Sequence, residues 1–173
     1  AISMGLSAMR SIDVINVSSE PLVELRDKID ETVMLLIWGK EGPLVYRFEE
    51  SSRPVFMNVR IGSTVPLLTT AAGRVFSAYL PRSLVWPIIR RELVANERGG
   101  FTEDSVRTMI EDTRAGGMAG IVGDFLPGIS ALAAPIFEHK SRVAAVVGAL
   151  GRSEELSIDF DGPTAIEIKR VAA

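Results

Sequence analysis

The order of apolar and polar residues along the N-terminal third of the chain predicts two helices followed by a β-hairpin. Apolar residues recur at helical spacing from Gly5 to Val17, which predicts a first helix. The segment Ser18–Pro21 predicts the start of a second helix, since a serine cap precedes a proline in the first turn. Thr32–Trp38 and Pro43–Glu49 are rich in β-forming residues and flank the turn segment Gly39–Gly42, so they predict a hairpin.

The central part of the chain is predicted to hold a third strand and three helices. Val55–Ile61 alternates between apolar and polar positions, which predicts a strand that extends the hairpin into an antiparallel meander. The alanine-rich segment Thr69–Tyr79 and the amphipathic segment Ser83–Asn96 predict helices, and Pro87 indicates that the second of these begins or kinks there. Thr102–Arg114 predicts a further helix, with its first residue as the cap.

The C-terminal part of the chain returns to strands and ends in a helix. Met118–Phe125, Ile129–Phe137 and Arg142–Leu150 are apolar segments of strand length. A final helix is predicted from Pro163, with Asp161 as a candidate cap. The complete order of predicted helices and strands predicts an α+β fold with a central, mostly antiparallel sheet that is flanked by helices.

Composition narrows the class of protein. The 173 residues suit one domain, and the 47% hydrophobic content is enough to build its core. No apolar run reaches the roughly 18 residues of a membrane span, so we expect a cytoplasmic protein with no membrane partner. Because there is no cysteine, disulfides and thiolate metal sites are excluded. The net charge of −3 argues against this chain binding DNA by itself, since it provides no basic stripe for the phosphates.

The residues offer little catalytic or metal chemistry, so no cofactor and no metal are predicted. His139 is the single histidine and lies in a polar turn, and without cysteines it predicts no zinc site. Ser130 has no histidine placed to activate it, so a hydrolase triad lacks its base. Trp86 either packs in the core or anchors an interface. The paired carboxylates are interpreted as solvated charges or caps at the ends of elements; they are Glu49 with Glu50, Glu154 with Glu155, and Asp159 with Asp161.

Two segments pair small residues with apolar ones. Gly62–Leu80 is interpreted as a loop that runs into a helix, and Gly128–Phe137 as a strand. Small residues allow the backbone to approach another group closely, which makes both segments candidate walls of a pocket.

Four segments of the chain, in this order, resemble the effector-binding domain of the IclR family of bacterial transcription regulators. They are Leu22–Val33, Gly62–Leu80, Arg114–Met118 and Pro127–Phe137. The resemblance implies a GAF-like fold, with a pocket on one face of the sheet. It implies that residues 1–17 are a connector helix from an upstream winged helix-turn-helix domain, and that residues 18–173 are the effector-binding domain.

The resemblance also implies partners and a site. Family members sense a small molecule through this domain, bind DNA through the other domain, and form homodimers or homotetramers. Matching the family's motifs to this chain places the effector contacts at ten positions: Pro54, Met57, Val65, Ala71, Ala72, Ile121, Ile129, Ala131, Gly148 and Leu150.

The chemistry of these positions suggests an apolar or aromatic effector, which can carry an acid group. Backbone N–H groups at Ala71 and Ala72, at a helix start, can hold a carboxylate. Alternatively, the small residues Ala71 to Gly73 only let the helix pack close to the sheet. The resemblance also shows a difference. Family members that sense small oxo-acids carry an acidic residue and serines at the positions that match Ile121, Gly148 and Leu150 of this chain. Such an apolar site suits an apolar ligand. The alternatives are a pocket filled by its own side chains in an oligomerisation module, and a small enzyme that uses the pocket.

Overall fold

The computed structural model describes residues 19–96, 99–138 and 142–173. The helix predicted over Gly5–Val17 and the turn with His139 lie outside these residues. The described elements, in chain order, are α1 (Ser19–Ile29), β1 (Thr32–Gly39), β2 (Gly42–Glu49), α2 (Ala71–Tyr79), α3 (Arg82–Ala95), α4 (Glu103–Gly116), β3 (Ala119–Val122), β4 (Ile129–Glu138), β5 (Arg142–Arg152) and α5 (Pro163–Ala172).

The strands form one five-stranded sheet in the order β2-β1-β5-β4-β3, and every neighbouring pair is antiparallel. The predicted α+β class with an antiparallel sheet is therefore confirmed. The last strand, β5, lies in the middle of the sheet between β1 and β4, so the N-terminal and C-terminal hairpins are joined into one layer.

The predicted third strand over Val55–Ile61 is wrong. These residues form an irregular segment, and the loop pairs with β2 only through an isolated bridge between Thr64 and Leu44. The alternation along the segment comes from one-sided burial, because Met57 and Val59 are half-buried while the residues beside them are exposed. The same period of two arises when a loop lies flat over an apolar surface.

Helices cover both faces of the sheet. On one face, α2 packs on the strands, and α3 and α4 pack on α2, around a core that includes Phe76, Ile89 and Val146. On the other face, α1 and α5 contact each other and cover a second core that includes Leu25 and Ile168. No helix among the described residues is both long and apolar enough to cross a bilayer.

Local signals in the sequence explain most helix ends. The Thr102 side chain accepts a hydrogen bond from the N–H of Ser105 and caps α4 as predicted, and Gly117 ends that helix in a left-handed conformation with φ of 70°. Helix α3 begins at Arg82, so the alternative of a start at Pro87 is wrong, and the proline lies inside the helix. Asp161 is not the cap of α5.

Gly162 occupies the cap position of α5 and provides no side-chain hydrogen bond. The N–H of Asp161 instead donates to the carboxylate of Asp159 within the preceding turn. Pro163 then begins the helix with a φ that its ring already fixes.

Candidate functional site

An apolar cavity of about 60 Å³ lies between the start of α2, the segment that follows β2, and the face of the sheet. Nine of the ten positions matched to the family's effector contacts line this cavity. They are Met57, Val65, Ala71, Ala72, Ile121, Ile129, Ala131, Gly148 and Leu150. Residues far apart in the chain thus meet in one enclosed space.

Pro54 is the exception, because it is exposed and does not belong to the cavity wall. The hydroxyl of Ser52 donates to the carboxylate of Asp30, and Arg53 donates to Glu155 at 2.7 Å. These contacts hold the residues just before Pro54 against the rim of the sheet. The proline consequently stays at the surface outside the cavity wall, and its predicted contact with an effector stays a prediction.

The register of the sheet explains why the floor residues converge. Ile121 on β3 is paired with Ala131 on β4, which is paired with Leu150 on β5. One step along, Gly148 on β5 is paired with Met34 on β1. Directly opposite residues of an antiparallel sheet point to the same face, so these side chains form one continuous apolar floor.

The start of α2 forms the wall that faces this floor. Thr70 is the cap: its hydroxyl accepts a hydrogen bond from the N–H of Gly73 at 3.0 Å and donates to the carbonyl of Pro66 at 2.6 Å. Among the described residues, the N–H groups of Ala71 and Ala72 have no protein acceptor. The wall therefore offers two backbone donors at the positive end of the helix dipole.

Gly73 is required for the close approach of this wall to the loop before it. A Cβ at Gly73 would overlap the carbonyl oxygen of Pro66 and lie 2.7 Å from the carbonyl oxygen of Leu67. The small residue thus lets the helix pack on its own preceding loop. Helix α2 also packs on β4 and β5, as the sequence-based alternative expects.

Two ionic contacts fix the loops around the cavity. The carboxylate of Glu92 on α3 accepts hydrogen bonds from the N–H groups of Leu67 and Leu68, at 2.7 and 2.9 Å. Arg74 on α2 forms an ion pair with Asp124, in the loop between β3 and β4. These contacts determine where the loops at each side of the cavity lie.

The cavity holds almost no polar side chain. Thr70 is the exception among the lining residues, and its hydroxyl is engaged as both donor and acceptor. Ser130 lies outside the wall and donates to the hydroxyl of Ser153 at 3.0 Å. Within residues 19–96, 99–138 and 142–173, no group of three potential metal ligands lies together. This wall can therefore enclose an apolar group and donate two backbone hydrogen bonds, and it provides no general base or nucleophile.

The groups with shifted pKa values lie away from the cavity. Burial raises the pKa of Glu31, which is 7% exposed, while the nearby Arg53 acts in the opposite direction. Hydrogen bonds from Ser52 lower the pKa of Asp30. Burial also raises the pKa of Tyr79. None of these residues lines the cavity, so its character is set by shape and apolar surface.

Sequence matching missed half of the wall. The cavity is also lined by Met34, Leu36, Val59, Thr70, Phe125, Leu126, Leu132, Ala133 and Ala149. The period of two along β1 could have indicated that Met34 and Leu36 share a face, and Val59 belongs to the alternation that was interpreted as a strand. Phe125 and Leu126 lie in a loop, and no local sequence pattern predicts that this loop lies over the cavity.

Comparison with known proteins identifies the family to which this chain belongs. Residues 6–162 match the family described as "Bacterial transcriptional regulator IclR C-terminal". The chain therefore belongs to the IclR family, as the C-terminal regulatory domain of a transcription regulator.

Particular relatives support this assignment. The glycerol operon regulatory protein of Streptomyces coelicolor is 31% identical over 157 residues, which are 84% of this chain and 58% of that protein. The crystal structure of Pseudomonas aeruginosa HmgR shares 35% identity with a TM-score of 0.85, and the match covers 99% of this chain and 69% of that one. Thermotoga maritima IclR, at 21% identity and a TM-score of 0.82, has the same fold over 99% of this chain and 70% of its own.

The chain spans 51% to 58% of the length of the curated relatives it matches. These relatives are named as regulatory proteins of transcription or of an operon.

Proposed function

We propose that this domain senses a small apolar or aromatic molecule in the cavity between α2 and the sheet. One observation carries the proposal: residues from six separate parts of the chain converge on a single space whose side chains are almost all apolar. Burial of an apolar ligand there is worth about 25 cal/mol per Å² removed from water.

The start of α2 favours an effector that also carries a carboxylate. The N–H groups of Ala71 and Ala72, at the start of α2, can donate to an anion that enters the cavity, since the methyl side chains add little bulk beside them. A small oxo-acid without an apolar body fits less well, since its remaining polar groups would lack partners at about 1–3 kcal/mol each. Effector-binding roles are assigned by this proposal to the nine lining residues named above.

The cavity must expand when the effector enters. Its volume of about 60 Å³ is smaller than the roughly 150 Å³ of an engineered cavity that accepts benzene. Met57 and Val59 on one side, and Phe125 and Leu126 on the other, belong to irregular segments that can move without breaking the sheet. Binding therefore couples to a rearrangement of these two segments.

Isothermal titration calorimetry with a panel of acids tests this assignment. Phenylacetate and benzoate represent the aromatic class, and glyoxylate and pyruvate represent the small oxo-acids. We expect saturable binding of at least one aromatic acid, at an affinity at least tenfold above that of either oxo-acid. A clear preference for glyoxylate-sized acids would contradict the proposal.

The proposal extends to the regulator from which this domain comes. The effector changes DNA binding through a domain outside this chain, by preferring one of two hinge or oligomer states. A homodimer or homotetramer in the cytoplasm is the form in which we expect it to act. Titration of the full-length regulator on its operator measures the coupling, and an unchanged operator affinity at saturating effector excludes this route.

A second function is favoured by the small volume of the cavity. In this alternative the cavity stays closed, and the domain serves as an oligomerisation module. The calorimetric panel distinguishes the two, because a module with a closed cavity gives no signal with any acid of the panel while it still forms a concentration-dependent dimer in sedimentation.

A further inference from the structure

A second cleft, of about 230 Å³, lies at the opposite end of α2 from the apolar cavity. It is bounded by the last turn of α2, the start of α3 and the outer face of α4. Its wall includes Arg82, Trp86, Arg107, Glu111 and Arg114. None of these residues lines the apolar cavity, so the cleft is a separate feature of the domain.

The charge of the cleft is positive. Three guanidinium groups face one carboxylate, that of Glu111. Arg114 is fixed in place, because its Nε and Nη2 both donate to the carbonyl of Ala78, at 3.0 and 2.6 Å. Arg107 pairs with Glu103 at 3.5 Å, and both side chains are about half exposed. Within the described residues, no carboxylate lies within 4.0 Å of the guanidinium of Arg82.

Trp86 brings the arginines together. The guanidinium carbon of Arg82 lies 4.4 Å from the centre of the indole ring, and that of Arg107 lies 5.3 Å from it. Both distances are within the range of cation–π contacts. The ring therefore holds two positive groups next to each other on the surface, although their charges repel.

The indole N–H of Trp86 lacks a hydrogen-bond partner among the described residues. The side chain is buried, with 7% of its surface exposed, and Nε1 is its buried atom without an acceptor. An unpaired buried donor is unfavourable because it has lost its hydrogen bonds to water, and the tryptophan N–H can only donate. The buried Trp86 corresponds to the core alternative that the sequence left open, but its N–H is not satisfied by the core.

We infer that this cleft binds a small oxyanion, the carboxylate or phosphate group of a small molecule. An anion accepts hydrogen bonds only, and the cleft offers guanidinium forks and an unpaired N–H, all of which donate. Arginine binds carboxylate and phosphate through two parallel hydrogen bonds, which favours these groups over chloride. The side chain of Arg107 is about half exposed, so it can rotate toward an anion in the cleft without a change in the backbone.

Nuclear magnetic resonance of the intact chain tests this inference. The sequence holds two tryptophans, so a ¹H–¹⁵N spectrum shows two indole peaks, and Trp86→Phe assigns them. Inorganic phosphate, citrate and sodium chloride are titrated at equal ionic strength. We expect the Trp86 peak to move downfield and saturate with phosphate or citrate but not with chloride, while the Trp38 peak stays in place. A stronger response to phosphate indicates a phosphorylated ligand, and a stronger response to citrate indicates a carboxylate.

Two matched variants complete the experiment. Arg82→Gln should weaken anion binding at least tenfold. Arg91→Gln, which removes the same charge from the same helix outside the cleft, should change the affinity less than twofold. The backbone peaks of each variant report whether it folds. A response that is equal for all three salts, or equal in Arg82→Gln and the parent chain, overturns the inference.

Discussion

The carboxylate of Glu92 on α3 accepts a hydrogen bond from the backbone N–H of Leu67, at 2.7 Å, in the loop that precedes α2. The second carboxylate oxygen accepts from Leu68 at 2.9 Å. One side chain thus holds the backbone of the loop whose next residues form the wall of the apolar cavity. Helix α3 does not line the cavity, but through Glu92 it fixes the shape of the cavity.

Replacement of Glu92 by glutamine should destabilise the domain and loosen the cavity. The neutral amide keeps one acceptor oxygen, so one N–H of the loop loses its acceptor and faces the amide NH2 group, which costs about 1.5–3 kcal/mol. Urea denaturation measures the free energy of unfolding. Glu41→Gln, an exposed glutamate in the β1–β2 turn, is the control and should change it by less than about 0.5 kcal/mol. Equal stabilities of the two variants would show that the Glu92 contacts contribute nothing.

Gly73→Ala should destabilise the domain even though alanine is the better helix former. The gain in helix propensity is at most about 1 kcal/mol. The added Cβ would collide with the carbonyl oxygens of Pro66 and Leu67, which are backbone atoms and cannot rotate away, and overpacking of this kind costs about 1–3 kcal/mol. Thermal denaturation is the measurement, and a variant with a melting temperature equal to or above that of the parent would refute the close packing.

Filling the cavity should abolish effector binding without unfolding the domain. Ala131→Leu places three further carbons on β4 inside a space of about 60 Å³. We expect at least a tenfold loss of affinity for the best acid of the panel, with a change in unfolding free energy of about 1 kcal/mol or less. Ala95→Leu, the same change at the exposed end of α3, is the control and should bind as the parent does. Unimpaired binding by Ala131→Leu would place the effector elsewhere.

The ion pair between Arg74 and Asp124 should hold the β3–β4 loop over the cavity. Asp124→Asn removes the charge of the partner and should raise amide hydrogen exchange at Phe125 and Leu126 several-fold. The exposed Asp161→Asn is the control for the loss of one carboxylate. If amide exchange in the β3–β4 loop is the same in both variants as in the parent, the ion pair does not restrain this loop.

Stability should fall with rising pH through the titration of Glu31. Burial raises the pKa of this carboxyl above its ordinary value of 4.5 in the folded state, so the unfolded chain loses the proton first. The folded state is consequently destabilised as pH rises from about 4.5 through the raised pKa. Glu31→Gln should be more stable than the parent at pH 7.5, and the difference should vanish near pH 4. A difference between Glu31→Gln and the parent that is constant with pH would contradict this assignment.

Elements with a strong internal period or a clear cap could be predicted from the sequence. The hairpin of β1 and β2, the Thr102 cap of α4 and the apolar strands β4 and β5 all carry local signals that the fold preserves. The segment Val55–Ile61 was misread because the same alternation arises in a loop that lies on an apolar surface. An alternation of apolar and polar residues indicates that one side of a segment is buried. It does not indicate that the segment pairs with another strand.

Half of the residues that line the cavity could be predicted by matching the family's motifs, and the register of the sheet explains why several of them meet. Motif matching fixed Ala131, and pairing across the sheet then brings Ile121 and Leu150 beside it. Contacts such as that of Glu92 with Leu67 join residues 25 positions apart through a loop of irregular backbone. No periodicity encodes such a contact, so it becomes visible only in three dimensions.

The crystal structure of this chain with the tightest-binding aromatic acid tests the central claim most directly. We expect electron density for the ligand between the start of α2 and β4, with its carboxylate within hydrogen-bonding distance of the N–H groups of Ala71 and Ala72 and its ring against Ala131. Density for the acid at any other place, with the cavity unchanged and empty, would contradict the account.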